Sequence, residues 1–523
     1  MKRHSKKLIY LALTGLLFSG ACTKLDETTF DSIQAEDYYK TEQEIVAAWL
    51  RPYSHLCGVY LGDHFFLNSL TTDETAWPVK GPDGYDNGDW IRMHQHTWTP
   101  QENRIQSVWD NFYIGVALCN NFLQDMDRVD FAKIGVSAEL TKGRVVAETK
   151  VVRAFYYYHL FSMFGNIPLS KIAGNDPQGN PQEVDLPNSS PQDVFSYIES
   201  EIKANADSLP SKGGYETYGH LTKEGAYTLL AKLYLNAEAT TGTAKWNEAI
   251  AACDEVINSK VYEQDTNWQA AFLSNNQNAL ENIFVIPYDN VNVTGFSLPK
   301  DGFAFQHNLT FNLDGGCNNG LVTQTAFYDS FKDDDLRKKQ FLVGPQFQSD
   351  GKTPIQGIRD DSLINKPLVL RPYLSSFKMT GAPENVGPRV NKFAVRVGTR
   401  GDFDNDYTIF RYTDVLMMKA ECLLRTGNAQ GAVDLMNQAR ARCFPAGSAN
   451  ATYTTATLTL DELLAERGRE FNWEQWRRED LIRFNKYNGT WWDKAASPEF
   501  RKLLPIPQRR LSNNPNLKQN PGY

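Results

Sequence analysis

Cys22 is the residue whose surroundings point most directly to a chemical reaction. Four basic residues lie between positions 2 and 7, followed by an apolar run over 8–18 and small residues at 19–21. A charged start, an apolar core too short to span a membrane and a small-residue cleavage site are typical of a secretory signal peptide. A cysteine directly after the cut can carry diacylglycerol on its thiol and an acyl chain on its freed amine. The pattern predicts a leader over residues 1–21 and a lipid anchor on Cys22.

The alternative is an ordinary signal peptide that merely ends at this cysteine. It rests on Ser19, which stands where a lipoprotein leader usually carries leucine.

Two groups of residues have the types that bind metal ions. His94 and His96 would lie on one face of a strand, as two metal ligands need, but no third ligand accompanies them. Asp402, Asp404 and Asp406 copy the start of a calcium-binding loop, but the glycine and the bidentate glutamate of such a loop are missing. We therefore expect no metal site at either place and no cofactor, and leave open a structural calcium ion of looser coordination in the loop-rich segments.

Catalytic patterns are missing from the sequence. It contains no nucleophile elbow, no zinc-protease motif and no phosphate or dinucleotide loop. The charged residues at 470–480 fall within three helical turns, which favours a structural ion network over an acid/base pair. The chain is not expected to be an enzyme.

Composition narrows the class further. The net charge is -8 and becomes more negative once the basic leader is removed, so binding to nucleic acid is not expected. Aromatic residues make up 12%, with 11 Trp and 24 Tyr, more than a purely structural protein needs in its loops. The six cysteines besides Cys22 form no C-x-x-C pair, and we expect few or no disulfides among them.

Helical periodicity dominates the rest of the chain. Thr41 and Glu44 form a capping box, and helices are predicted over about 104–126 and 142–164 and from Pro191 onward. Later helices occur in pairs joined by short turns, which is typical of tetratricopeptide units. The predicted fold is mainly α. About four tetratricopeptide-like helix pairs form a right-handed superhelical scaffold, which carries a loop-rich mixed α/β insertion subdomain.

The helical pairs are widely separated, which divides the mature chain into three regions. We predict an N-terminal helical region over 22–260 with a loop excursion at 63–100, an insertion subdomain over 261–405, and a C-terminal helical region over 406–523. Short β-like runs at 282–288 and 389–397 belong to the insertion. Functional residues are expected on the insertions, since the scaffold holds them in place.

Ordered motifs at both ends of the chain carry a family resemblance. The C-terminal part reads FRYTDVLMMKAE from Phe410, ERGREF from Glu466, REDLIR from Arg478 and LPIP from Leu504, and the N-terminal part reads DYYKTE from Asp37. In this order and spacing the sequence resembles the SusD/RagB family of outer-membrane nutrient-uptake lipoproteins of the Bacteroidetes.

The resemblance implies a cell-surface lipoprotein of the outer membrane that binds oligosaccharides or polysaccharides without catalysis. Family members sit as a lid on a SusC-like TonB-dependent transporter and hand it the glycan. The helices would face the transporter, and the insertions would carry the sugar site. The identity of the glycan does not carry over.

A sugar site needs an aromatic platform for the C–H face of the ring and polar groups for its hydroxyls. We predict Trp90 as the main platform, because its polar neighbours suggest that the indole faces outward, with the aromatics between Phe296 and Phe311 as the second choice. The other predicted ligand-binding residues are Trp77, Asp73, Cys317, Asn318, Asn319, Arg389 and Tyr412. The alternatives are tryptophans that pack back onto the helices and a plain turn at 314–320.

Two other functions remain open at this point. A surface glycoside hydrolase would need a suitably spaced carboxylate pair, which 62 acidic residues always permit. A protein-binding scaffold would use the helical repeats alone, and the surplus of loop aromatics argues against it.

Overall fold

The computed structural model describes residues 38–175 and 185–523, and Cys22 and the leader lie outside them. Helices dominate. The helices are α1 (Glu42–Trp49), α2 (Arg51–Val59), α3 (Asp63–Ser69), α4 (Asp89–Gln95), α5 (Asn103–Met126), α6 (Phe131–Ile134), α7 (Lys142–Phe164), α8 (Pro191–Asn205), α9 (Lys223–Leu235), α10 (Ala237–Thr241), α11 (Trp246–Ser259), α12 (Leu298–Gly302), α13 (His307–Phe311), α14 (Thr325–Asp329), α15 (Tyr412–Arg425), α16 (Ala429–Arg440), α17 (Leu460–Phe471), α18 (Arg477–Arg483) and α19 (Gln508–Asn513). The strands are β1 (Thr75–Ala76), β2 (Asn282–Ile286), β3 (Val322–Thr323), β4 (Phe341–Leu342), β5 (Gly344–Pro345), β6 (Val369–Leu370), β7 (Arg389–Val390) and β8 (Tyr407–Arg411).

The longer helices form one continuous scaffold. Helix α7 packs between α5 and α8, α9 packs on α11, and α11 packs on α15, which pairs with α16. Gly115 on α5 lets the first of these contacts close, because a Cβ there would lie 2.2 Å from the ring of Tyr156 on α7. The prediction of a mainly α fold built from packed helix pairs with an insertion is confirmed.

Helix ends follow local sequence signals. The capping box at Thr41 is present, with the Glu44 carboxylate returning to the backbone N–H of Thr41 at 2.8 Å. Helix α1 stops at Trp49, and Pro52 occupies the first turn of α2, where a proline is tolerated. The bounds predicted for the helix at 142–164 are confirmed.

Short antiparallel sheets fasten the insertion to the rest of the molecule. Strand β2 pairs with β8, so the run predicted at 282 joins a strand that lies beyond the expected boundary at 405. Strand β1 pairs with β3, with Thr75 opposite Thr323. The excursion at 63–100 and the insertion are therefore connected by backbone hydrogen bonds.

A buried ion network holds β8 against α17. Arg411 is fully buried, and its guanidinium donates to Glu474 at 2.7 and 2.9 Å, to Glu281 at 2.9 Å and to Glu470 at 3.1 Å. Nearby, Asp480 pairs with Arg467. The expectation that the charges at 470–480 form a structural network is confirmed for Glu470, Glu474 and Asp480.

Other features concern only the two described stretches. The six cysteines there are free thiols. No helix in 38–175 or 185–523 has the length and apolar character that crossing a membrane requires. No cluster of three or more His, Cys, Asp or Glu side chains in these stretches has the arrangement of a metal site.

Candidate functional site

Trp90 and Trp77 form an internal stack instead of an exposed platform. Only 3% of Trp90 is exposed, and its ring lies parallel to that of Trp77 with centroids 4.6 Å apart. The guanidinium of Arg104 covers Trp90 at 3.8 Å, and Phe66 meets it edge-on. The prediction that Trp90 faces outward is wrong, and the alternative of packing back onto the helices holds for both tryptophans.

The reason is a short amphipathic helix where the sequence suggested a loop. Helix α4 begins directly after Gly88, which has a positive φ of 78°. Asp89 and Arg92 lie on its polar face and pair at 2.6 Å, whereas Trp90 and Met93 are buried on the other side. The i, i+3 spacing of these apolar residues was the signal that identified the buried face.

The histidines of this segment are also structural. His94 lies in α4 and His96 caps it with a positive φ of 55°, so neither is on a strand. The ring nitrogens of His96 contact the Thr71 carbonyl at 2.9 Å and the Ser497 hydroxyl at 3.0 Å. Burial lowers the pKa of His94 to about 4. Both rings join the loop to the C-terminal region.

Two segments that supply predicted site residues, one around Trp77 and one around Asn319, do meet. A Cβ at Gly320 would lie 2.2 Å from the ring of Trp77, so only glycine allows this approach. The buried ammonium of Lys80 donates to the Asn319 carbonyl and, at 3.1 Å, to the Gly320 carbonyl. Burial lowers the pKa of Lys80 well below its ordinary value. These contacts of Trp77 and Lys80 with residues 319 and 320 fix the loop after β1 to the segment before β3, and we call this connection the joint.

Asn319 and Arg389 belong to this joint and not to a binding surface. Both are buried, and the Arg389 guanidinium donates to the Asn319 side-chain oxygen at 2.6 Å. Burial lowers the pKa of Arg389 to about 9. The expectation that these side chains contact a ligand is wrong, because both are buried and hydrogen bonds within the joint occupy their polar groups.

The remaining predicted residues are dispersed. Asp73 forms a two-pronged ion pair with Arg477, each contact 2.7 Å. Cys317 is buried, which raises the pKa of its thiol to about 12, and Tyr412 is buried at the start of α15. Asn318 is exposed, and its amide donates to Asp301 at 2.6 Å. Asn318 alone lies both at the surface and beside the joint.

An open cleft of about 350 Å³ lies on the outer side of the joint. The Arg359 guanidinium at its edge covers the ring of Phe305 at 5.2 Å and lies 3.7 Å from the Asp83 carboxylate. Two positions after Asp83, Tyr85 is 58% exposed. The lining residues are Lys80, Gly81, Arg359, Asp360, Asp361, Gly381, Ala382, Pro383 and Glu384.

Glu384 fixes the turn that presents Arg359. Its carboxylate accepts the backbone N–H groups of Ile358 at 3.1 Å, Arg359 at 2.7 Å and Asp360 at 3.2 Å. The side-chain amide of Gln306 donates to it at 2.7 Å. Four donors on one buried carboxylate make a rigid support, so the backbone that carries Arg359 is held in a defined position.

The cleft combines a planar donor with several carboxylates, and the exposed ring of Tyr85 stands two positions from Asp83, which lies beside Arg359. Together these groups suit a ligand with apolar faces and many hydroxyls. Sequence reasoning missed Arg359 and Asp361, and favoured Trp90 over Tyr85. Tyr85 stands between glycines at 84 and 88 that have positive φ, and this turn signal marks it as a loop-tip aromatic. Phe305 falls within the range of aromatics named as the second choice.

Comparisons with known proteins agree along most of the chain. A family model described as "SusD family" matches residues 239–523, and one described as "Starch-binding associating with outer membrane" matches residues 43–235. The starch-binding protein SusD of Bacteroides thetaiotaomicron is 25% identical over 506 residues, covering 88% of this chain and 85% of that protein. SusD-like protein P38 of Formosa agariphila is 22% identical over 550 residues, covering 99% and 98%.

Solved structures show the same fold. The surface glycan-binding protein A of Bacteroides thetaiotaomicron in complex with laminarihexaose has a TM-score of 0.71 at 20% identity, covering 92% of this chain and 99% of that one. A SusD superfamily protein from Parabacteroides distasonis has a TM-score of 0.70 at 21% identity, covering 92% and 99%. Since one family model spans more than half of the chain and the fold agrees, this chain belongs to the SusD family.

Proposed function

We propose that this protein is a cell-surface glycan-binding lipoprotein of the outer membrane. It captures oligosaccharides without hydrolysing them and delivers them to a partner SusC-like TonB-dependent transporter. The observation that carries the proposal is the pair of family matches, of which one is described as starch-binding and associating with the outer membrane. The lipid-anchor pattern at Cys22 agrees with this location.

The cleft at Arg359 is the proposed glycan site. Tyr85 offers an exposed ring for stacking on a sugar, while Arg359 and Asp361 offer a donor and an acceptor for hydroxyl groups. Asn318, at the surface beside the joint, is kept as a contributing residue. The buried tryptophans Trp77 and Trp90 have a structural role in supporting the site.

Tyr85→Ala is expected to weaken glycan binding at least tenfold. Loss of a stacking anchor typically costs about 2 kcal/mol or more, because the apolar face of the sugar returns to water. The measurement is affinity electrophoresis of the wild type against a polysaccharide panel, followed by calorimetry of the variant with the glycan that binds. No reducing sugar should be released during the incubation.

Tyr373→Ala is the matched control, because Tyr373 is similarly exposed at 55% but is not a near neighbour of Asp83 in the chain, whereas Tyr85 follows Asp83 by two positions. It should bind like the wild type. Equal affinity of folded Tyr85→Ala and wild type would move the site elsewhere, and a wild type that binds no polysaccharide would contradict the proposed function.

Cys22→Ala is expected to release the protein from the membrane fraction while leaving its fold intact, because one residue carries the whole anchor. Fractionation of cells that lack the partner transporter, followed by immunoblotting, measures the distribution. Ser19→Leu restores the usual leader pattern and should stay membrane-bound. A Cys22→Ala protein that remains in the outer membrane would refute lipidation.

A further inference from the structure

Accessible negative charges outnumber accessible positive charges in the proposed glycan cleft. We infer that this cleft selects uncharged glycans and excludes those that carry uronate or sulfate groups. The inference rests on the proposed function and specifies the chemical class of its ligand.

The cations of the cleft are largely out of reach of a ligand. Lys80 is only 3% exposed, and its ammonium is turned inward onto the Asn319 and Gly320 carbonyls. Arg359 is the accessible cation, with 50% of its side chain exposed. Its guanidinium lies over Phe305 and beside Asp83.

The accessible carboxylates outnumber it. Asp361 is exposed on the cleft wall, Asp360 is half-buried next to it, and Asp83 lies at the Arg359 edge. Glu384 does not count toward this set, because it is buried and its carboxylate is saturated by backbone N–H groups. Two lining carboxylates, those of Asp360 and Asp361, therefore stand against one accessible guanidinium, and that guanidinium already lies 3.7 Å from the Asp83 carboxylate.

The Asp360 carboxylate stays ionised under the conditions of binding. The side-chain hydroxyl and the backbone N–H of Ser362 donate to Asp360 at 2.6 and 2.9 Å, and these hydrogen bonds hold the pKa of that carboxyl below its ordinary value. A uronate or sulfate entering the cleft would meet a net negative field, which the overall charge of -8 reinforces.

A neutral sugar meets the opposite situation. Neighbouring hydroxyls of a ring can accept from the Arg359 guanidinium and donate to the Asp361 carboxylate at the same time. Carboxylates are hydrogen-bond acceptors only, so their excess suits a ligand that is rich in donors and carries no acidic group.

The test compares a neutral glycan with its own oxidised form. A panel of pullulan, laminarin, mannan, xyloglucan, polygalacturonate, alginate and hyaluronan is screened by affinity electrophoresis. A bound neutral polymer is then oxidised at its primary hydroxyls to carboxylates, and both forms are titrated at low and high salt. We expect the oxidised form to bind at least tenfold more weakly at low salt, with a smaller difference at 0.5 M NaCl because salt screens the repulsion.

Asp361→Lys should recover most of the lost affinity for the oxidised polymer. Glu238→Lys makes the same change in net charge on the exposed surface of α10 and should recover little. This comparison separates a local field from the overall charge and from the loss of a hydroxyl contact.

The outcomes are distinct. Binding confined to the acidic polymers, or equal affinity for both forms at low salt, would overturn the inference while leaving the proposed glycan-binding function intact. Binding to no polymer in the panel would overturn both. Equal recovery by the two lysine variants would also overturn the role assigned to the cleft carboxylates.

Discussion

Arg411→Met is expected to destabilise the folded protein by about 3–5 kcal/mol. The substitution leaves the buried carboxylates of Glu281, Glu470 and Glu474 without the guanidinium that contacts all three. These carboxylates stay buried away from water in the folded variant. The remaining cations cannot replace the four hydrogen bonds that Arg411 donates to them. Urea unfolding followed by circular dichroism measures the loss.

Arg128→Met is the matched control, because Arg128 pairs with Asp125 at 3.2 Å on the surface. An exposed pair contributes at most about 1 kcal/mol. Adding Glu474→Gln to Arg411→Met should recover part of the lost stability, since one uncompensated charge is removed. A loss under 1 kcal/mol for Arg411→Met would show that the network does not hold β8 against α17.

Glu74→Gln is expected to have a higher free energy of unfolding than the wild type, and this gain should be larger at pH 9 than at pH 5. Glu74 is fully buried beside the joint, and desolvation raises the pKa of its carboxyl from the ordinary 4.5 to about 8. The folded state therefore holds this proton more tightly than the unfolded state does. The contribution of the Glu74 carboxyl to the free energy of unfolding is therefore most favourable below pH 4.5, and it is lost as the pH rises through 8.

The size of this effect follows from the shift. Each pKa unit corresponds to about 1.4 kcal/mol, so the gain of the glutamine variant over the wild type should grow by roughly 3–5 kcal/mol between pH 5 and pH 9. Unfolding curves at both pH values measure it. Glu74→Met, which also lacks the carboxyl, should show the same growth. A pH-independent difference for both variants would contradict a raised pKa.

Much of the scaffold could be predicted because its signals are local. Thr41, Thr141 and Ser190 cap their helices through side-chain oxygens, and the apolar stripes behind them repeat at helical spacing. The pairing of β2 with β8 could not be predicted in this way. It depends on which distant segments meet, and no short pattern carries that information.

The candidate site was predicted in part. The meeting of the segment around Trp77 with the one around Gly320 was expected, and the structure brings them together. The orientation of Trp90 was not, because its polar neighbours Asp89 and Arg92 neutralise each other along one face of α4. Arg359 gave no signal, since its position depends on Glu384, a residue 25 positions away.

The loop beneath the cleft is completed by the far end of the chain. Asp73 pairs with Arg477 across 404 positions, and the Trp98 indole donates to the Tyr523 hydroxyl at 2.7 Å across 425 positions. Contacts of such sequence separation form late and slowly, because a long loop must close before they stabilise anything. During synthesis, Asp73 and Trp98 in this loop therefore lack these partners until nearly the whole polypeptide has been made. A fragment that ends before Arg477 would contain every residue of the cleft and still lack the support that shapes it.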